Sequence, residues 1–250
     1  MGKTIAVVNQ KGGVGKTTTA VNLAACLNSE NAISLLVDFD PQGNATSGMG
    51  LNKSASPSVY DVVVGGVEAE KAVRTTRFGP VLPTGLSLSA AELELVSAES
   101  REFRLKDALA PIKGLYDYII IDCPPSLGLL TLNALCAADA ILIPVQCEYY
   151  ALEGLSDLMQ TVRFVRNKLH PGLGIEGVLL TMYDSRTNLS TQVAEEVKRF
   201  FPGKVFKSSI PRNVRLSEAP SHGLPITHYD RGSKGADGYM GLARELIKRS

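Results

Sequence analysis

At 250 residues and 44% hydrophobic content, the chain is long enough for one α/β domain with a large buried core. The longest apolar candidate, Ala134 to Cys147, is broken by Asp139 and Pro144, and the first strand begins within five residues, which argues against a membrane span and a signal peptide. Net charge is only +1, and Cys26, Cys123, Cys136 and Cys147 form no C-x-x-C pair, so reduced thiols in a cytoplasm are expected and an iron–sulfur site is not.

The first element is the short β-branched run Ile5 to Val8, followed by Asn9-Gln10-Lys11-Gly12-Gly13-Val14-Gly15-Lys16-Thr17-Thr18 and then by helical spacing to Leu27. A buried strand, a glycine-rich loop and a helix start in succession make a phosphate cradle. Gly12, Gly13 and Gly15 let the main chain approach an anion, and Val14 and Thr18 complete the loop at the positive end of the helix. Lys16 is placed to reach the β- and γ-phosphates of a nucleotide, and the Thr17 hydroxyl to ligate Mg²⁺. The usual pattern has glycine where this chain has Gln10, and a second lysine, Lys11, opens the loop.

A second strand, Ile33 to Asp38, ends in Asp38-Phe39-Asp40-Pro41-Gln42-Gly43. In parallel sheets ligands bind beyond the carboxyl ends of strands, which brings both aspartates to the cradle's side. Asp38 is expected near the metal shell, and Asp40 where a carboxylate orients or deprotonates an attacking water. Residues 48–80 read as loops around one small helix near Ser58 to Val63, followed by a short strand at Val81 to Pro83 and helices at Ala90 to Val96 and Arg101 to Ile112. The apolar strand at Tyr116 to Asp122 ends in a carboxylate that can hold Mg²⁺, commonly through water, and Pro124-Pro125-Ser126 forms a stiff loop behind it. Beyond it, helix Leu129–Ala137, strand Ala140–Val145, helix Leu152–Leu169, strand Ile175–Met182 and helix Leu189–Phe201 alternate. That order predicts a mostly parallel sheet covered on both faces, a single P-loop NTPase domain over residues 1–250. His222 and His228 stand alone in loops and are assigned to no site.

Charge is uneven along the chain. Residues 1–162 carry 11 Lys+Arg against 17 Asp+Glu, whereas residues 163–250 carry 15 against 8, a net +7 that points to a polyanionic partner.

The lysine-led loop resembles the deviant Walker A motif of the family that holds ParA/Soj partition ATPases, MinD and the nitrogenase iron protein. With Asp-Phe-Asp-Pro-Gln-Gly-Asn-Ala-Thr at 38–46, Ile-Ile-Asp-Cys-Pro-Pro-Ser at 120–126 and Ile-Pro-Arg-Asn-Val-Arg-Leu-Ser-Glu-Ala-Pro-Ser-His-Gly at 210–223, the chain resembles the short chromosomal ParA/Soj type over nearly its whole length. The resemblance implies an ATP- and Mg²⁺-dependent DNA-segregation ATPase that dimerises around two nucleotides, with Lys11 crossing to the partner's ATP. It also implies adenine recognition by Pro211 and Asn213, sequence-independent duplex DNA binding through Arg186 and Arg215, and discharge by a ParB/Spo0J-type centromere-binding protein. A cytoplasmic, nucleoid-associated protein is then expected. The longer plasmid type carries an operator-binding domain for which this chain has no room. A MinD-like membrane ATPase is the alternative; it needs a C-terminal amphipathic helix, and here Tyr239, Leu242, Ala243, Leu246 and Ile247 form a modest stripe expected to pack on the sheet.

Overall fold

A computed structural model describes residues 2–85, 87–148 and 153–249. Its centre is a seven-stranded sheet assembled from β1 (Lys3–Val7), β2 (Ser34–Asp38), β3 (Arg74–Thr76), β4 (Gly79–Leu82), β5 (Tyr118–Asp122), β6 (Ala140–Gln146) and β7 (Gly174–Thr181). The spatial order is β3-β4-β2-β5-β1-β6-β7, and every pairing is parallel except β3 with β4. The chain leaves β1 by α1 (Lys16–Ser29), passes over β5 and returns as β2 on one side, while β6 and β7 extend the sheet on the other. The crevice beyond the tip of β1 lies at this reversal, where open sheets take their ligands.

Both faces of the sheet are covered, which is why its central strands run apolar over consecutive positions rather than at alternate ones. Ala6, Val37, Ile119 and Ile121 face one core, packed by α3 (Val59–Val63), α5 (Leu88–Leu95), α6 (Arg104–Leu109), α7 (Leu129–Ala137), α8 (Glu153–Lys168) and α9 (Asn188–Phe200). Ile5, Val7, Leu36 and Ile120 face the other, packed by α1 and by the C-terminal α12 (Lys234–Arg249). The period-2 alternation of a strand thus sorts neighbouring residues into different cores.

The expected elements are present with ends moved by a few residues, and α7 matches its expected span. The expected start of α8 at Leu152 lies outside the described residues. Residues 48–80 hold more than one helix: α4 (Ala69–Ala72) and the edge strand β3 accompany α3, and α2 (Asn44–Gly48) precedes them. These pieces are three to five residues long. No periodicity can develop over so few positions, and β3 exists because β4 gives it a hydrogen-bonding partner. The C-terminal stripe packs chiefly on α1: Tyr239, Leu242, Ala243 and Leu246 are buried in one cluster with Ala20, Leu23 and Leu27, as well as with Leu142 and Leu179 of the sheet. All four cysteines are free and buried. Burial pushes the Cys26 thiol up to about 12 and those of Cys136 and Cys147 to about 11, which keeps them protonated and unreactive at neutral pH.

Candidate phosphate-binding site

The loop between β1 and α1 is pinned from two sides. Asn9, buried at its start, donates its amide to the Pro144 carbonyl at 2.7 Å and accepts the Lys11 N–H at 3.0 Å. From the tip of β7, the buried Thr181 hydroxyl donates to the Val14 carbonyl at 2.8 Å. Between these anchors Gly13 and Gly15 take φ values of 76° and 90°, a left-handed backbone that residues with a Cβ resist. Gly12 has no left-handed φ, and a Cβ there, as at Gly13, meets nothing within 4 Å, so its outer side is open. Lys16 is only 7% exposed, and its ammonium bridges the loop to the Lys11 carbonyl at 3.1 Å. Burial lowers the Lys16 pKa, opposed by the negative charges of Asp122, Cys123 and Asp40.

Asp122 and Asp40 face this lysine, with Asp38 next to both. Asp122 ends β5 fully buried, and neither of its side-chain oxygens has a hydrogen-bond partner among the described residues. Its pKa is driven well up, first by desolvation and then by Asp38, with the Thr17 hydroxyl and Lys16 pulling the other way. Asp38 lies beside it in the register of β2 against β5. Asp38, expected near the metal shell, already accepts hydrogen bonds on both oxygens. Oδ2 accepts both the N–H and the hydroxyl of Thr46 at 2.6 Å, and Oδ1 accepts the Asp40 N–H at 3.3 Å. Burial still raises its pKa to about 6 against those hydrogen bonds. Asp40 is 7% exposed, on the turn beyond the strand, where its Oδ1 accepts the Gln42 N–H at 3.0 Å.

Burial pushes Asp38 and Asp122 toward the neutral form, and a divalent cation beside Asp122 would favour its ionised carboxylate. The described residues hold no group of three His, Cys, Asp or Glu able to bind a metal by themselves. Orphaned Asp122 oxygens next to Thr17 instead fit a hard, largely hydrated ion such as Mg²⁺ that takes one or two protein oxygens and completes its shell with water and phosphate.

A cleft of about 310 Å³ opens beside the loop, lined by Gly15, Thr18, Thr181, Met182, Pro211 and Asn213, with Tyr239 among its walls. Thr18, Pro211 and Asn213 therefore converge with the glycine loop. Met182 takes a left-handed φ of 50°, and beyond it the Tyr183 N–H donates to the Ile210 carbonyl at 3.0 Å, laying residues 210–213 along the sheet. Asn213 caps the short α10 (Val214–Glu218) by accepting the Arg215 N–H at 2.8 Å. Larger clefts lie between α9 and residues 203–209 and between α4 and α6, and neither is lined by the glycine loop.

The basic candidates stand apart from this cluster. Arg186 is paired with Asp184 through two hydrogen bonds, at 2.9 and 2.7 Å, and Arg215 with Glu218 at 2.9 Å and Asp230 at 3.4 Å. The Lys11 ammonium sits 3.6 Å from Glu148, which also receives Arg212 at 3.7 Å. His222 stacks on Tyr229 and His228 meets Phe78 edge-on, away from the carboxylates. Asn9, Thr46 and Thr181 support the loop and the carboxylates through hydrogen bonds, and sequence reading gives them no role. For Asn9 and Thr181 the available signal is a polar residue at or beside the end of an otherwise apolar strand; Thr46, on α2, offers none.

A family model described as an AAA domain matches residues 2–175. The sporulation initiation inhibitor protein Soj of Bacillus subtilis is 60% identical over 249 residues, covering 98% of each chain. The chain belongs to the ParA/Soj family of chromosome-partitioning ATPases. A second ParA/Soj relative, the chromosome partitioning protein ParA of Myxococcus xanthus, is 55% identical over 252 residues, covering 100% of this chain and 89% of that one. Among solved structures, cobyrinic acid a,c-diamide synthase from Mycobacterium smegmatis with a bound ATP analogue and magnesium has a TM-score of 0.89 at 39% identity, covering 100% of this chain and 95% of that one. MinD of Pyrococcus horikoshii complexed with Mg-ADP has a TM-score of 0.82 at 27% identity, covering 100% and 97%. The ParA/Soj relatives exceed both in identity.

Proposed function

We propose that this ParA/Soj-family chain hydrolyses ATP, closes into a dimer around two ATP molecules, binds DNA without sequence preference in that state, and is released when a ParB/Spo0J-type partner stimulates hydrolysis. The observation that carries the reading is Asp122, buried without a partner for either oxygen, set against Lys16 and Thr17 at the head of a glycine loop. Lys11, Gly12, Gly13, Val14, Gly15, Lys16, Thr17 and Thr18 cradle the phosphates, and Pro211 and Asn213 bound the cleft for adenine. Thr17 and Asp122 would hold Mg²⁺, with Asp38 next to Asp122, and the ion when bound would supply positive charge against the phosphates. Asp40 orients or deprotonates the attacking water. Lys11 leaves Glu148 and reaches the partner's phosphates, a lysine counterpart of an arginine finger. The chain works in the cytoplasm on the nucleoid.

One feature favours this reading over a membrane-bound one: the apolar stripe of α12 is buried against α1, which leaves it unavailable to a lipid surface. ATPase assays with duplex DNA and a ParB-type protein, added separately and together, test the proposal. Slow turnover alone and a rise requiring the partner are expected; turnover indifferent to both would sink it.

Gly12→Val isolates the dimer. Since a Cβ at this position meets nothing within 4 Å in this chain, the variant is expected to fold and bind ATP yet remain monomeric, because a second loop is proposed to occupy that space in the dimer. Light scattering with ATP checks this, and a normal dimer would remove the proposed interface.

DNA binding is assigned to Arg186 and Arg215. Their ion pairs are surface pairs with arginine side chains 87% and 50% exposed, screened by solvent, so a DNA phosphate can replace the carboxylates. Closing two copies doubles the phosphate contacts, and log K falls by roughly 0.9 per tenfold rise in salt for each contact, so the dimer has a steeper salt slope than the monomer. Arg215→Glu is expected to lose DNA binding while keeping ATP-dependent dimers. Normal mobility shifts by that variant, or a salt-insensitive affinity, would rule the assignment out.

A further inference from the structure

Asp40 lies on a turn whose position is set by a buried line of polar contacts ending in a side chain the proposed reaction does not use. Thr46, on α2, is fully buried. Its N–H and its hydroxyl both donate to Asp38 Oδ2 at 2.6 Å, and its hydroxyl oxygen accepts the N–H of Thr84, just beyond β4, at 3.0 Å. The other Asp38 oxygen accepts the Asp40 N–H at 3.3 Å. A continuous path therefore runs from the end of β4 through Thr46 and Asp38 to the main chain of Asp40. Packing reinforces it: Gly43, in the left-handed conformation at the base of the turn, is so close to Thr84 that a Cβ would lie 2.8 Å from the Thr84 methyl.

A hydroxyl has one proton to donate and lone pairs to accept with, and Thr46 uses both functions at once. Removing it strands the Thr84 N–H and takes one of two donors from Asp38 Oδ2, both in a dry environment where nothing replaces them. The Asp38 carboxylate is then free to turn toward the place proposed for the metal, and the Asp40 N–H loses its fixed acceptor.

We propose that Thr46 is a positioning residue for Asp40, holding the water-activating turn in register with the phosphate cradle; this rests on the reading of the site as an ATPase. Thr46 is fully buried and lines neither the glycine loop nor the cleft beside it, so its removal is expected to act on the chemical step and leave ATP binding in place. The test compares wild type with Thr46→Ser, which keeps the hydroxyl, and with Thr46→Val and Thr46→Ala, which lack it. Steady-state kcat and KM for Mg-ATP, equilibrium binding of a fluorescent ATP analogue and the melting temperature are measured for each. Thr46→Ser is expected within about twofold of wild type, and Thr46→Val and Thr46→Ala to lose about tenfold or more in kcat with KM and analogue affinity within about twofold, since misplacement of a reacting group by an ångström can slow a reaction up to about a hundredfold. Normal kcat in Thr46→Val or Thr46→Ala overturns the proposal. So does parallel loss of kcat and analogue binding, an equal loss in Thr46→Ser, or failure of both Thr46→Val and Thr46→Ala to fold, since each makes Thr46 a support of the fold as a whole. A wild-type chain that binds the analogue without hydrolysing ATP would instead refute the ATPase reading itself.

Discussion

Lys16→Ala is expected to lose ATP binding by about a hundredfold or more, because two charge-assisted contacts to phosphate, each contributing about 1.5–3 kcal/mol, disappear with the ammonium. The size of the effect follows from the surroundings of Lys16. It is buried in a loop facing Asp122 and Asp40, and without its charge the β- and γ-phosphates would meet carboxylates with only the metal to offset them. Its hydrogen bond to the Lys11 carbonyl is local and replaceable by water, so the variant should fold. Isothermal titration with a non-hydrolysable ATP analogue measures the loss. Wild-type affinity would remove the phosphate assignment and with it the reaction built on the loop.

Asp40→Ala is expected to separate hydrolysis from assembly. A general base contributes about 10²–10⁴-fold to rate, so turnover should fall by that order while ATP still binds and the dimer persists. Asp40 uses its carboxylate oxygen only on the Gln42 N–H, and the contacts that hold the turn run through Asp38, Thr46 and the Asp40 main chain, which alanine retains. Lys11→Ala should behave in the opposite way. Its ammonium sits against Glu148 and is proposed to reach the partner's phosphates, so its loss should weaken ATP-dependent dimerisation and hydrolysis together. Light scattering and phosphate release on the two variants decide the matter. A monomeric Asp40→Ala in ATP, or a Lys11→Ala that dimerises and turns over normally, would show that the two roles are wrongly divided.

What the sequence determined by itself is chemistry carried by consecutive residues. A strand, three glycines and Lys16-Thr17 occupy one short stretch, so their joint function is readable without knowing where the rest of the chain goes, and an apolar run ending in Asp122 reads as a strand with an acid at its tip. The parallel sheet was legible for the same reason: each α/β unit announces itself locally, by length and spacing. Only the tertiary structure decided which carboxylate is free. Asp38 and Asp122 both end apolar strands, and they differ because Thr46 and the Asp40 N–H occupy the first and nothing occupies the second. Only the fold could bring Thr181 to Val14 across 167 positions and Pro144 to Asn9 across 135. It also decided what the α12 stripe covers, since a row of Tyr239, Leu242 and Leu246 is equally suited to a lipid surface and to α1. A side chain's type states what it can bond to, whereas its partner is set by which distant segment the packed sheet brings within about 3 Å.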